Sequence, residues 1–316
     1  ANNALKYFLI FLQTLSAQED IIKWVRDHRV HHKFTDTNAD PHNSKRGFFF
    51  SHVGWLLIKK HPDVKKFGSK VDMSDSEHDP ALLFHRKIYM AAAIFLAFIA
   101  PIFGSMWLWD EDFYASMNIN IARYVLGLHV NWAINSFAHM HGTRPYDKNN
   151  SSTDSYLFGF LAFGEGWHNY HHAFPWDYKT GEFENYFFNF SLIFIDLFAW
   201  LGWATDLKTT SIDMIRKRAI RTCPGGRPGR YVLAAHSTAE IATEWVASMG
   251  VGWRDTKSRN RFLCQMAASA SIWVLAMVVI HSSGYSPLAV SPDNIVQSAP
   301  SRTALATSEI SARVAR

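Results

Sequence analysis

Two histidine clusters share the spacing HxxHH, His28-Arg29-Val30-His31-His32 and His168-Asn169-Tyr170-His171-His172. On an α-helix, positions i, i+3 and i+4 share a face, so we expect each cluster to direct three imidazoles to a single point. Imidazole suits zinc, copper, iron and nickel, whereas oxygen-rich sites suit magnesium, calcium and manganese. One such cluster is weak evidence, because histidine-rich turns also occur on solvated surfaces. Two copies predict a transition-metal site.

The composition indicates a membrane protein with a substantial polar portion. The 316 residues are 48% hydrophobic and 15% aromatic, with 12 Trp and 24 Phe, and tryptophan is enriched at membrane interfaces. The net charge of +5 comes with no RNA-binding signature and no patterned basic helix, which argues against a nucleic-acid partner. The two cysteines, Cys223 and Cys264, exclude a disulfide framework and a cysteine metal site.

A transmembrane hairpin is predicted between about residues 88 and 139. Ile88 to Trp109 carries no charge and is long enough to cross the hydrocarbon core. Ala115 to His139 is a second apolar stretch, interrupted only by Arg123, which is expected to snorkel towards the nearer end. The turn Asp110-Glu111-Asp112 is acidic, whereas Lys and Arg crowd both outer flanks. The positive-inside rule then places both histidine clusters in the cytosol.

Two further apolar segments are not predicted to span. Leu5 to Leu15 is too short and is expected to form a helix that continues through Gln18 to Arg26 into the first cluster. Tyr186 to Ala204 is long enough, but Asp196 lies at its centre. We therefore expect this segment to lie at the membrane surface or against the cap.

A domain boundary is predicted at about Thr222. Residues 223–316 begin with a Gly/Pro/Arg-rich linker, which favours irregular structure. They include an uncharged stretch at 262–280 that is a candidate extra apolar helix. The Ser/Ala/Pro-rich tail that follows is expected to be disordered.

Three strings of the sequence carry a resemblance to a known family. They are WVRDHRVHHKFTDTNADPHNSKRGFFFSHVGWLL, NWAINSFAHMHGTRPYD and GEGWHNYHHAFPWDY. In order and spacing they resemble the membrane acyl-CoA desaturases, the stearoyl-CoA delta-9 family and its insect relatives, from Asn2 to about Arg221. The resemblance implies an all-α membrane protein, in which a transmembrane helical hairpin carries a cytosolic helical cap with a histidine-rich di-iron site. Residues 1–222 would form the desaturase domain, and residues 223–316 do not match the family.

The chain departs from the family pattern at its beginning. Family members carry an earlier HxxxxH box within HRLWSH, together with a preceding pair of membrane helices, and this sequence begins after that point. The desaturase domain is therefore expected to be incomplete at its N-terminus. With seven of the family's nine histidine ligands, it is expected to bind metal weakly and to be inactive unless the earlier segment is supplied.

The resemblance also implies the site residues. The implied ligands of two irons are seven histidines and one asparagine that acts through water: His28, His31, His32, Asn135, His139, His168, His171 and His172. Asn135 and His139 are expected to share a helical face at the cytosolic end of the second span. The implied acyl-CoA contacts are Trp24, Arg26, Asp27, Lys59, Lys60, Asn131 and Trp132. Among these, the charged residues match contacts to coenzyme A, and the others match the acyl tunnel.

The reaction that the resemblance implies needs such a metal site. A methylene within a fatty chain has no acidic proton and no leaving group, so acid–base and nucleophilic catalysis have nothing to act on. The expected reaction is insertion of a cis double bond, at the delta-9 position, into a saturated fatty acyl-CoA. It would use O2 and electrons from cytochrome b5 and its reductase, in a multi-pass protein of the endoplasmic reticulum membrane. Two alternatives stay open, a related di-iron membrane lipid hydroxylase and a catalytically incomplete fragment.

The other histidines and the aromatic clusters are not predicted to bind a metal or a cofactor. Histidines without metal-type spacing are expected to be surface or satisfied core residues: His42, His52, His61, His78, His85, His129 and His141. The aromatic clusters Phe48-Phe49-Phe50 and Trp176-Asp177-Tyr178 are expected to serve packing and not to contact a cofactor.

Overall fold

The computed structural model describes residues 1–181 and 189–222. The predictions for residues 223–316, including the candidate helix at 262–280 and the tail, lie outside the described residues. Within these ranges the regular structure is helical, and β pairing is limited to the isolated bridges Thr143–Asp154 and Asp154–Trp167. The predicted all-α fold class is confirmed.

The helices follow one another with short connections. The α-helices are α1 Asn3–Ser16, α2 Ile21–Phe34, α3 Trp55–Leu57, α4 Pro62–Gly68, α5 Ser74–Glu77, α6 Pro80–Ile94, α7 Ala100–Trp109, α8 Phe113–Ser136, α9 Tyr156–Leu161, α10 His168–Ala173, α11 Phe190–Trp200 and α12 Ile212–Thr222. Two 3-10 helices, Ser44–Arg46 and Phe137–His139, and two π-helical segments, Phe50–Gly54 and Phe95–Ile99, complete the order.

The first arm of the predicted hairpin is one long helix. α6, the π-helical segment and α7 run without a break over Pro80–Trp109, 30 residues, and in the part of the chain that the structure describes this is the one helix long and apolar enough to cross a membrane. Only 11% of its most apolar window is buried inside the protein. A core helix of a soluble protein would be mostly buried, so this surface fits contact with lipid.

The acidic turn ends one arm and begins the other. Asp110 has a left-handed backbone (φ 54°) that terminates α7. The side chain of Asp112 caps α8, because it accepts hydrogen bonds from the backbone N–H groups of Tyr114 and Ala115 at 2.8 and 3.1 Å. α8 then packs back along α7. The predicted second arm is therefore a helix, although it is more polar than the first.

Arg123 does not snorkel, and that expectation is wrong. Its guanidinium is buried between the two arms, where Nη2 donates to the backbone carbonyl of Ala97 at 2.9 Å and to Asn120 Oδ1 at 2.9 Å. The amide of Asn120 donates to the same carbonyl at 3.1 Å. Ala97 lies in the π-helical segment, where the regular i→i−4 ladder is interrupted and a carbonyl becomes available. That local irregularity holds the charge inside the hairpin.

The helix predicted to run from Leu5 into the first histidine cluster is two helices. Ala17 (φ 50°) and Glu19 (φ 71°) have left-handed backbones that turn the chain, and Asp20 begins α2 by accepting a hydrogen bond from Lys23 N–H at 3.2 Å. α2 then packs against α4 and α6, with Val25 fully buried. The turn fixes which face of α2, and thus which histidines, point inwards.

α11 is too short to span. Its eleven residues cover about 16 Å, roughly half of the hydrocarbon thickness. This agrees with the expectation that the segment does not cross the membrane, although its first residues, 186–188, lie outside the described residues.

The hairpin predicts opposite exposure for its turn and for the cap. In a Cys223→Ser, Cys264→Ser background, we expect Ser69→Cys on the cap to react with an impermeant maleimide in sealed microsomes. Glu111→Cys should react only after permeabilisation, because a span of the length of α8, about 36 Å, separates the turn from the cap. Equal labelling of both positions in sealed microsomes would contradict the hairpin.

Candidate metal centre

Four histidines from three elements converge on one point. His31 lies on α2, His139 in the 3-10 turn after α8, and His168 and His172 on α10, and one ring nitrogen of each lies within 4.8 Å of the others. His168 Nε2 lies 3.0 Å from His139 Nε2 and 3.2 Å from His172 Nε2. We call these four residues the first group.

Three further histidines form a second group beside the first. These are His28, His32 and His171, whose donor nitrogens also lie within 4.8 Å of one another. The two groups are adjacent, because the ring of His32 stacks on that of His172 with centroids 4.2 Å apart. Each group holds enough imidazoles to bind a metal ion.

The expectation that each HxxHH cluster serves a single point is wrong. Each cluster contributes its i and i+4 residues to one group and its i+3 residue to the other. A helix advances about 100° per residue, so i and i+4 differ by about 40° whereas i+3 and i+4 differ by about 100°. Two facing clusters can therefore build two donor sets, each with two histidines from one cluster and one histidine from the other.

A buried carboxylate orients His31 for metal binding. Its Nδ1 lies 2.8 Å from Asp40 Oδ1, and its Nε2 is buried with no hydrogen-bond partner among the described residues. Burial alone would raise the pKa of Asp40, but the neighbouring His31 and His42 hold that pKa below its usual value. A carboxylate that accepts Nδ1–H leaves the Nε2 lone pair directed at a ligand.

His139 is held by a hydroxyl in the same way. Its Nδ1 lies 2.7 Å from Ser151 Oγ, and Asp36 accepts hydrogen bonds from the N–H of Ser151 and the hydroxyl of Ser44, both at 3.1 Å. Asn135 and His139 were expected to share a face of one helix. They lie on different elements, because α8 ends at Ser136 and the chain tightens into a 3-10 turn.

His32 and His172 are neutral at physiological pH. Burial, reinforced by the neighbouring imidazoles, holds the pKa values of His32 and His172 well below the usual value. A neutral imidazole has a free lone pair for a metal, whereas a protonated imidazole has none. The donor set and its protonation fit a transition metal.

Asp154 and Asn169 fix α10 in place. Asp154 Oδ1 accepts hydrogen bonds from the N–H groups of Asn169 and Tyr170 at 2.7 and 3.3 Å. The side chain of Asn169 has no exposed surface, accepts hydrogen bonds from the N–H groups of Tyr146 and Asp147, and donates to the carbonyls of Asp147 and Ser152. Both residues satisfy backbone groups that would otherwise be buried unpaired.

A cavity of about 320 Å³ adjoins the histidines. Residues from both groups line one part of it, and Asn135 lines it as well. The predicted tunnel residues Trp24, Asn131 and Trp132 line the remainder. The amide of Asn131 donates to Gln18 Oε1, so the turn between α1 and α2 closes this wall.

A surface groove of about 810 Å³ meets the cavity at Asp27, which lines both. Arg26 and Lys60 also line the groove, whereas Lys59 is exposed and lines neither space. Three of the four predicted charged residues are paired within the protein, because Arg26 Nη2 lies 2.6 Å from Glu77 Oε1 and Lys60 contacts Asp27.

His42 is not the satisfied histidine that its spacing suggested. It is buried beside His31 and Asp40, and the three form a further group of candidate donors. Its Nδ1 has no hydrogen-bond partner in the part of the chain that the structure describes. Burial is the main cause that lowers the pKa of His42 to about 3.

Comparison with known proteins places the sequence among desaturases. A family model described as "Fatty acid desaturase" matches residues 1–185. The chain is 47% identical over 221 residues to an acyl-CoA Delta(11) desaturase of Spodoptera littoralis, and this match covers 70% of the chain and 65% of the relative. It is 48% identical over 222 residues to an acyl-CoA Delta-9 desaturase of Acheta domesticus, and 47% identical over 222 residues to stearoyl-CoA desaturase 2 of Mus musculus, each match covering 70% of the chain and 62% of the relative. The chain thus spans less than two thirds of the length of these relatives.

Asp40→Asn should weaken metal binding about 10- to 100-fold, the range typical for loss of an orienting partner. The amide still fits but no longer carries the charge that makes His31 a stronger donor. A competition titration with Co²⁺ measures the change, with Asp213→Asn, at an exposed position of α12, as the matched control. Equal affinities of the two variants would contradict the assigned role of Asp40.

The metal-free protein should lose stability as the pH falls below about 6.5, the usual value for histidine. Below that pH the unfolded chain takes up protons that buried His32 and His172 do not, so the free energy of unfolding decreases by up to about 1.4 kcal/mol per pH unit for each such histidine. Urea unfolding between pH 7.5 and pH 5 measures this slope. A free energy of unfolding that does not change across this window would contradict the assigned protonation state.

Proposed function

The chain belongs to the fatty acid desaturase family, and from that premise we propose that the protein introduces a cis double bond into a saturated fatty acyl-CoA. The observation that carries this proposal is the pair of adjacent histidine groups beside a largely apolar cavity. Such a site suits oxidation of a hydrocarbon chain, because the donors are next to the space where an acyl chain would lie.

We propose that the two groups hold two iron ions. His31, His139, His168 and His172 would hold one, and His28, His32 and His171 the other. Asn135 would contribute to one of them through a water molecule, since it lines the same cavity. All-imidazole ligation excludes the hard oxygen-preferring cations and suits iron.

The reaction consumes one O2, two electrons and two protons, removes one hydrogen from each of two adjacent methylenes, and releases two waters. Bound iron would supply the oxygen activation and electron storage that an unactivated C–H bond requires. The protein's own contribution is position. The cavity would hold the chain against the histidines and exclude water from the reacting carbons.

The polar end of the substrate would lie in the groove. Arg26 and Lys60 line it, and cationic donors match the phosphates of coenzyme A. Their present partners, Glu77 and Asp27, would then be exchanged for phosphate oxygens. Lys59 would add a further charge near the rim, and Trp24, Asn131 and Trp132 would contact the acyl chain.

We further propose the cellular setting. The protein would be a multi-pass protein of the endoplasmic reticulum membrane with its histidines on the cytosolic side, and its electrons would come from cytochrome b5 and its reductase. We assign the new double bond to the delta-9 position. Named relatives act at delta-9 and at delta-11, so product analysis decides this point.

The activity test uses the whole protein that carries this sequence, expressed in yeast that lacks its own desaturase. Microsomes with labelled stearoyl-CoA should form an oleoyl product. His168→Ala should reduce the product at least 100-fold, because it removes a donor that contacts two other histidines. Chromatography with mass spectrometry measures the amount and the double-bond position.

The matched control is His141→Ala, an exposed histidine two residues from His139, which should keep most of the activity. Full activity of His168→Ala would contradict the site assignment. A hydroxylated product would favour a lipid hydroxylase, and a double bond at another carbon would overturn only the delta-9 assignment.

A further inference from the structure

Residues 47–58 present several apolar side chains to the outside. Phe49 is 67% exposed and Leu57 is 69% exposed, and Phe48, Leu56 and Ile58 are exposed as well. Phe48 and Phe49 thus leave much of their side-chain surface uncovered by the protein, although the run is expected to serve packing. Scattered exposed apolar residues are normal, but five of them within one segment of twelve residues indicate a partner surface. We call residues 47–58 the aromatic segment.

The aromatic segment lies alongside the end of α8. His52 Nδ1 lies 2.9 Å from Ser136 Oγ, and His52 Nε2 lies 2.9 Å from His129 Nδ1. Ser136 is the last residue of α8 and His129 lies two turns earlier, so these contacts cover about 10 Å of the helix axis. The ring of Phe48 stacks on His52. The segment therefore lies beside the final two turns of the hairpin's second arm.

Basic residues flank the aromatic segment on both sides. Lys45 and Arg46 precede it, Lys59 and Lys60 follow it, and no acidic residue occurs from Asn43 to Pro62. The guanidinium of Arg46 lies 3.6 Å from the ring centre of Phe50. The apolar centre of the segment matches the acyl chains of a lipid leaflet, and its cationic ends match the anionic headgroups.

We propose that the aromatic segment lies in the boundary between lipid headgroups and acyl chains, in the leaflet at the Ser136 end of α8. Its contacts with the last two turns of α8 place it at the end of the hairpin's second arm, where that boundary would lie. Trp55 and Leu56 also line the cavity beside the histidines, so lipid contact brings one wall of that cavity to the membrane surface. This inference rests on the proposed membrane hairpin and is independent of the proposed activity.

Depth-dependent quenching tests the inference on the full chain. In a Cys223→Ser, Cys264→Ser background, Phe49→Cys and Leu57→Cys are labelled with an environment-sensitive fluorophore and reconstituted into vesicles of phosphatidylcholine and phosphatidylserine. Asp213→Cys, at an exposed position of α12, is the aqueous reference, and Leu126→Cys, exposed on α8, is the membrane reference. Lipids spin-labelled near the headgroup or in the middle of the acyl chain, and a soluble nitroxide, are the quenchers.

We expect both segment positions to be quenched several-fold more by the spin-labelled lipids than by the soluble nitroxide, with the opposite order at position 213. Quenching of positions 49 and 57 like position 213 would overturn the inference. Protection from all of the quenchers would also overturn it, since another part of the chain would then cover the segment. If spin-labelled lipids do not quench position 126, the membrane hairpin itself is wrong. A protein without enzyme activity would still give a valid quenching result, so the two proposals are tested separately.

Discussion

The amide of Asn169 makes the interactions on which the site depends most. It lies between histidines of the first and second groups on α10, has no exposed surface, and bonds to backbone groups of Tyr146, Asp147 and Ser152. Loss of these bonds would leave several buried polar groups unpaired, each at a cost of about 1–3 kcal/mol. The loop from 146 to 152 also carries Ser151, which holds His139. The side chain of Asn169 therefore ties the histidine cluster on α10 to the loop whose Ser151 orients His139.

The same site carries an energetic cost that its proposed metals would offset. Burial keeps His32 and His172 neutral, and crowded imidazole nitrogens such as those of His168 and His139, 3.0 Å apart, cannot all be satisfied by one another. Metal binding to neutral imidazoles turns these lone pairs into bonds and so couples binding to folding. Asp40 and Ser151 limit the cost before binding, because they fix the ring orientations in advance.

Much of the fold was predictable, because it depends on local patterns. The charge-free run before Trp109 and the acidic turn after it determine the first arm, and the HxxHH spacing identified the histidines. The break at Ala17 and the burial of Arg123 were not predictable, since each depends on a left-handed residue or a π-helical carbonyl that leaves no pattern in the sequence. The interleaving of the clusters and the role of Asp40 likewise depend on how α2 faces α10, which spacing along one chain does not encode.

The central claim is that two donor groups are built by exchange between the clusters, and the iron content of two triple variants tests it most directly. Replacing the second group, His28, His32 and His171, by alanine leaves the first group intact, so about half of the iron should remain. Replacing His168, His171 and His172 leaves two histidines in each group, so nearly all iron should be lost. If each cluster instead formed its own site, the second variant would keep half of the iron and the first would lose most of it, which would contradict this account.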